Sequence, residues 1–336
     1  MNIAIIGSKA FDSLEFHLHE AFTYAQHNCK IFDVADRWFM HNKYGVQADF
    51  IMRRYSDAYD RHIFKNIAKQ VTQFKPQLVI ATYRFIHPEF VSLVKKHTNS
   101  TVIHVNPDAM TTLEYQQIFA SDYDAWFTKD PYILRFMKNN MKLNAYHYNE
   151  AFNPRIHTKP QITKKQAEQK IHTDVITYGT IYPYRARMLR QVIKHNIQLK
   201  IYGTRPNRFY DHYLDKAYQK QYITGKEKTQ ILYGAKIVLN QMHFAEIESV
   251  NNRFFEANGA GAFQLSDYRP ILHQLLPIQP ELVSFHNIDE AIEKIHYYLQ
   301  HPQERYQIAH KIYQHFLNNY TYDHLIQYIL KNTLHT

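Results

Sequence analysis

Residues 248–266 read ESVNNRFFEANGAGAFQLS, and this stretch carries the clearest local pattern in the chain. Ser249 has a side chain typical of a helix N-cap, and Gly259 suits the residue that follows a helix. The apolar run 262–265 is typical of a buried strand. The stretch therefore predicts a helix over 250–258 that leads directly into a strand, as in α/β domains.

The same alternation of helices and strands extends outward through both halves of the chain. Alternation of this kind predicts parallel βαβ units with helices on both faces of a sheet. The predicted strands are 2–6, 30–34, 77–81, 101–105, 125–128, 174–178, 198–202, 235–239, 262–266 and 282–285. The predicted helices between them are 13–27, 60–73, 88–97, 131–140, 185–195, 226–234 and 250–258, and the tail is helical to about residue 330.

A length of 336 residues predicts two domains, since single domains rarely exceed about 250 residues. The alternation pauses over 153–172, where prolines and polar residues replace large apolar ones. We therefore predict an N-terminal domain over 1–155, a linker over 156–172 and a C-terminal domain over 173–318. The remaining helical tail, 319–336, is predicted to pack back on the N-terminal domain.

Composition excludes several classes of protein. Cys29 is the single cysteine, which rules out intrachain disulfides and cysteine-cluster metal sites. The histidines lack metal-ligand spacing, and the phosphate loops of dinucleotide oxidoreductases and P-loop enzymes are missing, so no metal or cofactor is predicted. Met1–Gly7 lacks the features of a signal peptide and no apolar run reaches membrane-spanning length, so the chain is predicted to be cytoplasmic.

The net charge of +10 is concentrated in residues 151–200, which hold ten basic and two acidic residues. Such a stretch suits a phosphate-rich ligand, an anionic membrane or nucleic acid. A solvated linker and helix face would have the same composition. We expect Lys164, Lys165 and Lys170 to make a peripheral contact with an anionic membrane at the inner face of the plasma membrane.

Glycines and two charged residues indicate where a ligand binds. Gly7, Gly179 and Gly203 each follow a predicted strand, at the edge where open α/β sheets bind ligands, although tight turns would also use them. On the helix after Ser249, Arg253 could contact phosphate and Glu256 could accept hydrogen bonds from sugar hydroxyls. An ordinary surface Arg–Glu pair at i, i+3 is the alternative.

Glu248 and Glu256 are separated by seven residues and are followed by Ala-x-Gly and a strand. This arrangement resembles the Glu-x7-Glu signature of retaining glycosyltransferases with the GT-B fold, which consists of two Rossmann-like doubly wound domains facing each other across a cleft. The surrounding sequence resembles the CgeB-like (spore-maturation-type) group. The resemblance is good in residues 170–330 and loose in residues 1–150. The matching segments are 106–108, 122–130, 178–180, 184–185, 201–203, 233–240, 253–257 and 288–316. Residues 248–251 depart from the usual Glu-Gly-Phe-Gly opening of the signature.

The resemblance implies specific roles for residues in this chain. Glu256 would bind the donor ribose, and Arg185 with the amides of 249–252 would bind the diphosphate. The first acid of the signature is Glu248, with Glu246 as a close competitor. Apart from the resemblance, the position of Asp108 after the predicted strand 101–105 suits a base towards the acceptor or, equally, a helix cap. The full set of predicted donor-binding residues is Gly179, Thr180, Arg185, Gly203, Asn240, Ser249, Asn252, Arg253 and Glu256.

The implied activity is transfer of a sugar from a nucleotide-sugar to a glycan, lipid-linked or other hydroxyl acceptor. The resemblance places this reaction in bacterial surface polysaccharide or cell-envelope biosynthesis, with retention of configuration and without a metal. The C-terminal domain would bind the donor and the N-terminal domain the acceptor. Two alternatives stay open: a non-catalytic nucleotide-sugar or glycan-binding protein on a degenerate GT-B fold, and a basic nucleic-acid binder. Nucleic acid is not the expected partner, because the aromatic residues are spread through strands and helices.

Overall fold

The computed structural model describes residues 1–37, 43–83, 85–109, 114–206 and 208–334. These residues form two compact units. Unit 1 comprises Met1–Asn149 and the C-terminal segment that begins at Tyr322, and unit 2 comprises Glu150–Thr321. The segment predicted as a linker, 156–172, lies within unit 2.

Unit 1 contains a six-stranded parallel sheet in the order β2-β1-β3-β4-β5-β6. Its strands are β1 (Asn2–Ile6), β2 (Asn28–Phe32), β3 (Leu78–Ala81), β4 (Thr101–Asn106), β5 (Ala125–Thr128) and β6 (Ala145–His147). The strands β3 and β5 are buried along their whole length, which requires helices on both faces of the sheet. These helices are α1 (Leu14–Tyr24), α2 (Lys43–Tyr55), α3 (Asp57–Phe74), α4 (Pro88–His97) and α5 (Pro131–Asn139), with a 3-10 helix at Glu114–Phe119.

Unit 2 contains a five-stranded parallel sheet in the order β11-β10-β9-β7-β8. Its strands are β7 (Val175–Tyr178), β8 (Leu199–Tyr202), β9 (Ile237–Asn240), β10 (Gln264–Asp267) and β11 (Ser284–Phe285). Its helices are α6 (Lys164–Ile171), α7 (Pro183–Lys194), α8 (Gly225–Gly234), α9 (Asn252–Gly259), α10 (Leu272–Leu275), α11 (Ile288–Gln300) and α12 (Pro302–Asn319), with 3-10 helices at His212–Leu214 and Pro280–Leu282. Because β7 neighbours both β8 and β9, the strand order reverses there, and ligands of open α/β sheets bind at such a point.

The helix α13 (Tyr322–Thr333) closes the chain within unit 1, where it packs against α1. Leu325, Ile326 and Ile329 are buried on one side of it, and the ring of Tyr322 stacks on His17 with centroids 4.8 Å apart. The apolar spacing of i, i+1 and i+4 gives the helix a single stripe, which explains why one face of this tail is buried.

Buried polar contacts hold α6 in unit 2. The Lys164 ammonium donates to the backbone carbonyls of Tyr233 and Ala235, at the C-terminal end of α8. Glu168 forms a bidentate pair with Arg305 at 2.9 Å, and both side chains are buried. Lys164 is therefore not available to a membrane surface, and the expectation that it contributes to one was wrong, whereas Lys165 and Lys170 are exposed.

Candidate functional site

Two glycines line the end of the sheet at the β7–β8 edge of unit 2. Gly179 follows β7 with φ +88°, and Gly203 follows β8 with φ +129°, so both adopt backbone conformations that side chains disfavour. A Cβ on Gly203 would lie 2.5 Å from the carbonyl oxygen of Gly179. The loops after β7 and β8 thus approach each other more closely than a residue with a side chain at position 203 would allow. This close approach and the positive φ angles explain why both positions are glycines.

Arg185 lies on α7 and is buried beneath the loop that follows β7. Its guanidinium donates to the hydroxyl of Thr177 at 2.8 Å, to the carbonyl of Tyr178 at 3.4 Å and to the carbonyl of Thr180. Burial lowers the pKa of Arg185 well below its usual value, and the nearby charge of Arg253 lowers it further. Arg185 therefore stabilises the turn after β7 by hydrogen bonds to its carbonyls, and its guanidinium is buried away from water.

Arg253 lies on α9 and reaches the same turn from the other side. It donates to the carbonyl of Tyr178 at 2.7 Å and to the carbonyl of Gln241 at 3.0 Å, which ties the ends of β7 and β9 together. Burial lowers its pKa as well. Among the residues that the structure describes, neither Arg185 nor Arg253 forms an ion pair with a carboxylate. We call these two residues the guanidinium pair.

Glu256 is a buried carboxylate on the same helix as Arg253. Its Oε1 accepts hydrogen bonds from Lys228 Nζ at 2.7 Å and from Asn252 Nδ2 at 3.0 Å. Its Oε2 accepts one from the Tyr178 hydroxyl at 3.1 Å. Lys228, on α8, is the functional candidate that sequence reasoning missed, since a lone lysine on an amphipathic helix carries no motif that would reveal a partner 28 residues away.

The start of α9 differs from the prediction. Its N-cap is Asn251, whose side chain accepts from the Phe254 N–H at 3.2 Å, and not Ser249. Ser249 instead donates its hydroxyl to the carboxylate of Glu246, three residues earlier. Asn240 donates to Asn251 Oδ1 at 3.0 Å and to Gln264 Oε1 at 2.8 Å. Asn240 is therefore buried in an amide network that orients the helix cap.

Within the described part of the chain, several buried polar atoms near this site have no hydrogen-bond partner. They are Nε of Arg185, both amide atoms of Gln241 and Oδ1 of Asn252. Buried polar atoms are nearly always hydrogen-bonded in folded proteins, so such a concentration requires an explanation, for which a bound ligand or ordered water is the ordinary candidate. One of these atoms belongs to the guanidinium pair itself, and the others lie on Gln241, whose carbonyl accepts from Arg253, and on Asn252, which directly precedes Arg253.

The remaining predicted residues are placed as follows. Thr180 is exposed and its carbonyl accepts from Arg185, while Glu248 is half-buried in the loop before α9. Asp108 lies in unit 1, just after β4, where its backbone N–H donates to Asn106 Oδ1 at 3.3 Å and its carbonyl accepts from Asn106 Nδ2 at 2.6 Å. The structure thus brings all the predicted donor-binding residues into unit 2 and places Asp108 in the other unit.

Known proteins resemble this chain in sequence and in fold. Residues 185–331 match the glycosyl transferase-like family. The structure aligns with sucrose-phosphate synthase from Thermosynechococcus elongatus at a TM-score of 0.68 and 9% identity, covering 98% of this chain and 97% of that one. It aligns equally well, at 0.68 and 10% identity, with Anabaena HepE in complex with UDP-glucose, covering 98% and 99% of the two chains.

The structural alignments show a GT-B-like fold, which confirms the predicted fold class, and residues 185–331 are similar to the glycosyl transferase-like family. The sequence of this chain is similar to the spore protein CgeB of Bacillus subtilis (strain 168), with 25% identity over 235 residues. That alignment covers 60% of this chain and 71% of CgeB. The resemblance to the CgeB-like group is thereby confirmed. No helix in the described ranges is long and apolar enough to cross a membrane.

Proposed function

We propose that the chain is a glycosyltransferase that moves a sugar from a nucleotide-sugar donor to an acceptor hydroxyl. The observation that carries this proposal is the guanidinium pair, Arg185 and Arg253. Both side chains donate to backbone carbonyls instead of carboxylates, and burial lowers the pKa of each. A diphosphate would supply the missing negative charge, and a diphosphate is the leaving group of a nucleotide sugar.

The hydrogen-bonding capacity of Glu256 supports its proposed role as the ribose ligand. A carboxylate accepts about four hydrogen bonds, and three are in use, so Oε2 retains room for one hydroxyl. The Tyr178 hydroxyl has a second acceptor in reach, the carbonyl of Arg253 at 3.2 Å. If Tyr178 turns to that carbonyl when the donor binds, Oε2 can accept from both vicinal hydroxyls of the ribose.

The proposed roles of the remaining predicted residues follow from their positions near α9 and in the adjacent loops. The amides of 249–252 precede the first turn of α9, at the positive end of its dipole, and we assign them to the diphosphate together with Gly179, Thr180 and Gly203 in the adjacent loops. Asn240 acts indirectly, through the cap of α9. We assign Glu248 as the first acid, with Glu246, whose carboxylate accepts from the Ser249 hydroxyl, as its competitor.

The acceptor side and the biological setting are proposals as well. Asp108 of unit 1 would be the base towards a glycan or lipid-linked acceptor, and the reaction would retain configuration. The guanidinium pair would provide the positive charge that a divalent metal provides in other transferases, so no metal is needed. The similarity to CgeB, a spore protein, supports a role in building a bacterial surface or cell-envelope polysaccharide on the cytoplasmic side of the membrane.

A non-catalytic nucleotide-sugar or glycan-binding protein is the second candidate. The observation that favours it is the sequence of residues 248–251, Glu-Ser-Val-Asn, which departs from the usual opening of the signature. A protein of this kind would keep the guanidinium pair and Glu256 and would bind the donor without turnover.

The experiment is a thermal-shift panel of UDP-, GDP-, dTDP- and CMP-sugars, with UDP-glucose first because Anabaena HepE binds it. Mass spectrometry then measures whether the bound donor loses its sugar. In the variant Arg253→Met the affinity should fall by about tenfold or more, since a charged hydrogen bond to phosphate is lost. The control is Arg190→Met, because Arg190 lies on α7 and pairs with Asp211 instead.

A selective shift followed by sugar loss supports the transferase, whereas a shift without sugar loss across a broad acceptor set supports the binding protein. Equal affinities in Arg253→Met, Arg190→Met and the wild type would contradict the proposed donor site. The same result would remove the main physical support for both candidate functions.

A further inference from the structure

Four aromatic side chains, two exposed and two half-buried, form a cluster at the ends of β7 and β9, and we call this cluster the aromatic platform. It consists of Tyr182 and Tyr184, after β7, and His243 and Phe244, after β9. Phe244 is 76% exposed and Tyr182 is 45% exposed. Large aromatic surfaces that stay in water usually mark a binding site, because their burial would otherwise stabilise the fold.

The platform is held in place by ring contacts among its members and by hydrogen bonds to the neighbouring backbone. The Tyr184 hydroxyl donates to the carbonyl of Met242 at 2.6 Å, and the Ala245 N–H donates to His243 Nδ1 at 3.1 Å. The rings of His243 and Phe244 stack with centroids 4.4 Å apart, and the Tyr184 ring meets Phe244 edge to face at 6.0 Å. The aromatic faces are therefore ordered before any ligand arrives, which limits the entropy lost on binding.

The platform borders the guanidinium pair. Tyr184 is anchored on the carbonyl of Met242, and Arg253 is anchored on the carbonyl of the preceding residue, Gln241. Tyr184 also directly precedes Arg185 on α7. A ligand on the platform would therefore sit beside a donor whose phosphates contact the arginines.

We propose that the aromatic platform binds a pyranose ring of the acceptor glycan, whose apolar C–H face stacks on Phe244. Tyr182 lies at the edge of that ring, because the Tyr182 ring is parallel to that of Tyr184, which meets Phe244 edge to face. A pyranose ring needs a flat apolar surface together with polar groups at its margin. The tyrosine hydroxyl of Tyr182, the imidazole of His243 and the exposed Thr180 provide those groups. The term acceptor rests on the proposed transferase function, whereas glycan binding does not.

The exposure of the platform favours the acceptor over the donor sugar. Arg185 is only 1% exposed, so a diphosphate that binds Arg185 lies inward from the surface, together with the sugar attached to that diphosphate. Phe244 and Tyr182 lie at the surface, where a longer saccharide can stack one ring and extend into solvent. The platform thus suits an oligosaccharide.

Saturation-transfer NMR with cellotetraose tests the proposal, because the glucose rings of this oligosaccharide present apolar C–H faces. The variant is Tyr182→Ala/Phe244→Ala, and it should fold, since Tyr182 makes no side-chain cap to α7 and both rings are exposed. The control is Tyr213→Ala/Phe209→Ala, which removes rings that are 49% and 76% exposed in the same unit. We expect saturation of the axial C–H protons to fall by about tenfold in the variant and to persist in the control.

UDP binding, measured by calorimetry on the same samples, separates this proposal from the proposed function. The variant should bind UDP as the wild type does, and UDP-glucose should leave the cellotetraose signal in place. No signal with the wild type, or equal signals in variant and wild type, would overturn the platform. Displacement of cellotetraose by UDP-glucose would overturn the acceptor assignment. Platform-dependent cellotetraose binding without any UDP binding would support the platform and count against the transferase.

Discussion

The buried ion pair between Lys228 and Glu256 allows a quantitative prediction. Lys228 Nζ lies 2.7 Å from Glu256 Oε1, and the two side chains are 6% and 7% exposed. The variant Lys228→Met keeps the length of the side chain and removes its charge, so Glu256 would remain buried with hydrogen bonds from Asn252 and Tyr178 alone. We predict that this single change destabilises unit 2.

The size of the destabilisation follows from the burial of the Lys228–Glu256 ion pair. Removing one partner of a buried pair leaves an uncompensated charge and costs about 3–5 kcal/mol of unfolding free energy. The same unit provides a matched control, Lys236 with Asp174, at an identical distance of 2.7 Å but with side chains 40% and 27% exposed. Loss of an exposed pair costs about 0–1 kcal/mol, so Lys236→Met should be almost neutral.

The assay is urea unfolding followed by circular dichroism, applied to the wild type, Lys228→Met, Lys236→Met and the double variant Lys228→Met/Glu256→Gln. The double variant removes both charges and should recover most of the stability lost in Lys228→Met, because the desolvation cost of the carboxylate disappears as well. Two results would refute this reasoning: a cost for Lys228→Met no greater than that for Lys236→Met, or a double variant that is less stable than Lys228→Met.

Four further predictions concern the ligand site and the surface. Glu256→Gln should weaken donor binding by about 1.5–3 kcal/mol in calorimetry, because a charged hydrogen bond to ribose is lost; unchanged affinity in a folded variant would reject the assignment. Burial lowers the pKa of Lys164 from 10.5 to about 7. Between about pH 7 and pH 10 the unfolded chain therefore binds more protons than the folded chain, and the free energy of unfolding should rise with pH over that range. Urea titrations of Lys164→Met should show a flatter rise. Turnover should persist in EDTA, and a loss restored by manganese or magnesium would contradict metal independence. Lys165→Gln/Lys170→Gln should sediment less with anionic vesicles than the wild type at low salt, and equal sedimentation would mean that both lysines are simply solvated.

Local sequence pattern predicted most of the secondary structure because strands and helices leave short-range periodicities. The bounds of β1 and β5 agree with the structure, and the helix predicted over 60–73 lies within α3. The helices α2 and α6 were not predicted. Within α6, stability comes from the contacts of Lys164 with α8 and of Glu168 with Arg305, 137 residues away, which no local window contains.

The sequence by itself determined the α/β class and the helix that carries Arg253 and Glu256, because both follow from the pattern of neighbouring residues. The prediction of two domains followed from the length of the chain. Only the tertiary structure decided which charges meet. It paired Glu256 with Lys228 on another helix, set Arg185 beside Arg253, and made Asn251 the cap of α9 through its bond with Asn240. Hydrogen bonds and charges act over a few ångströms in space, whereas the residues that form them lie on segments that only the folded chain brings together.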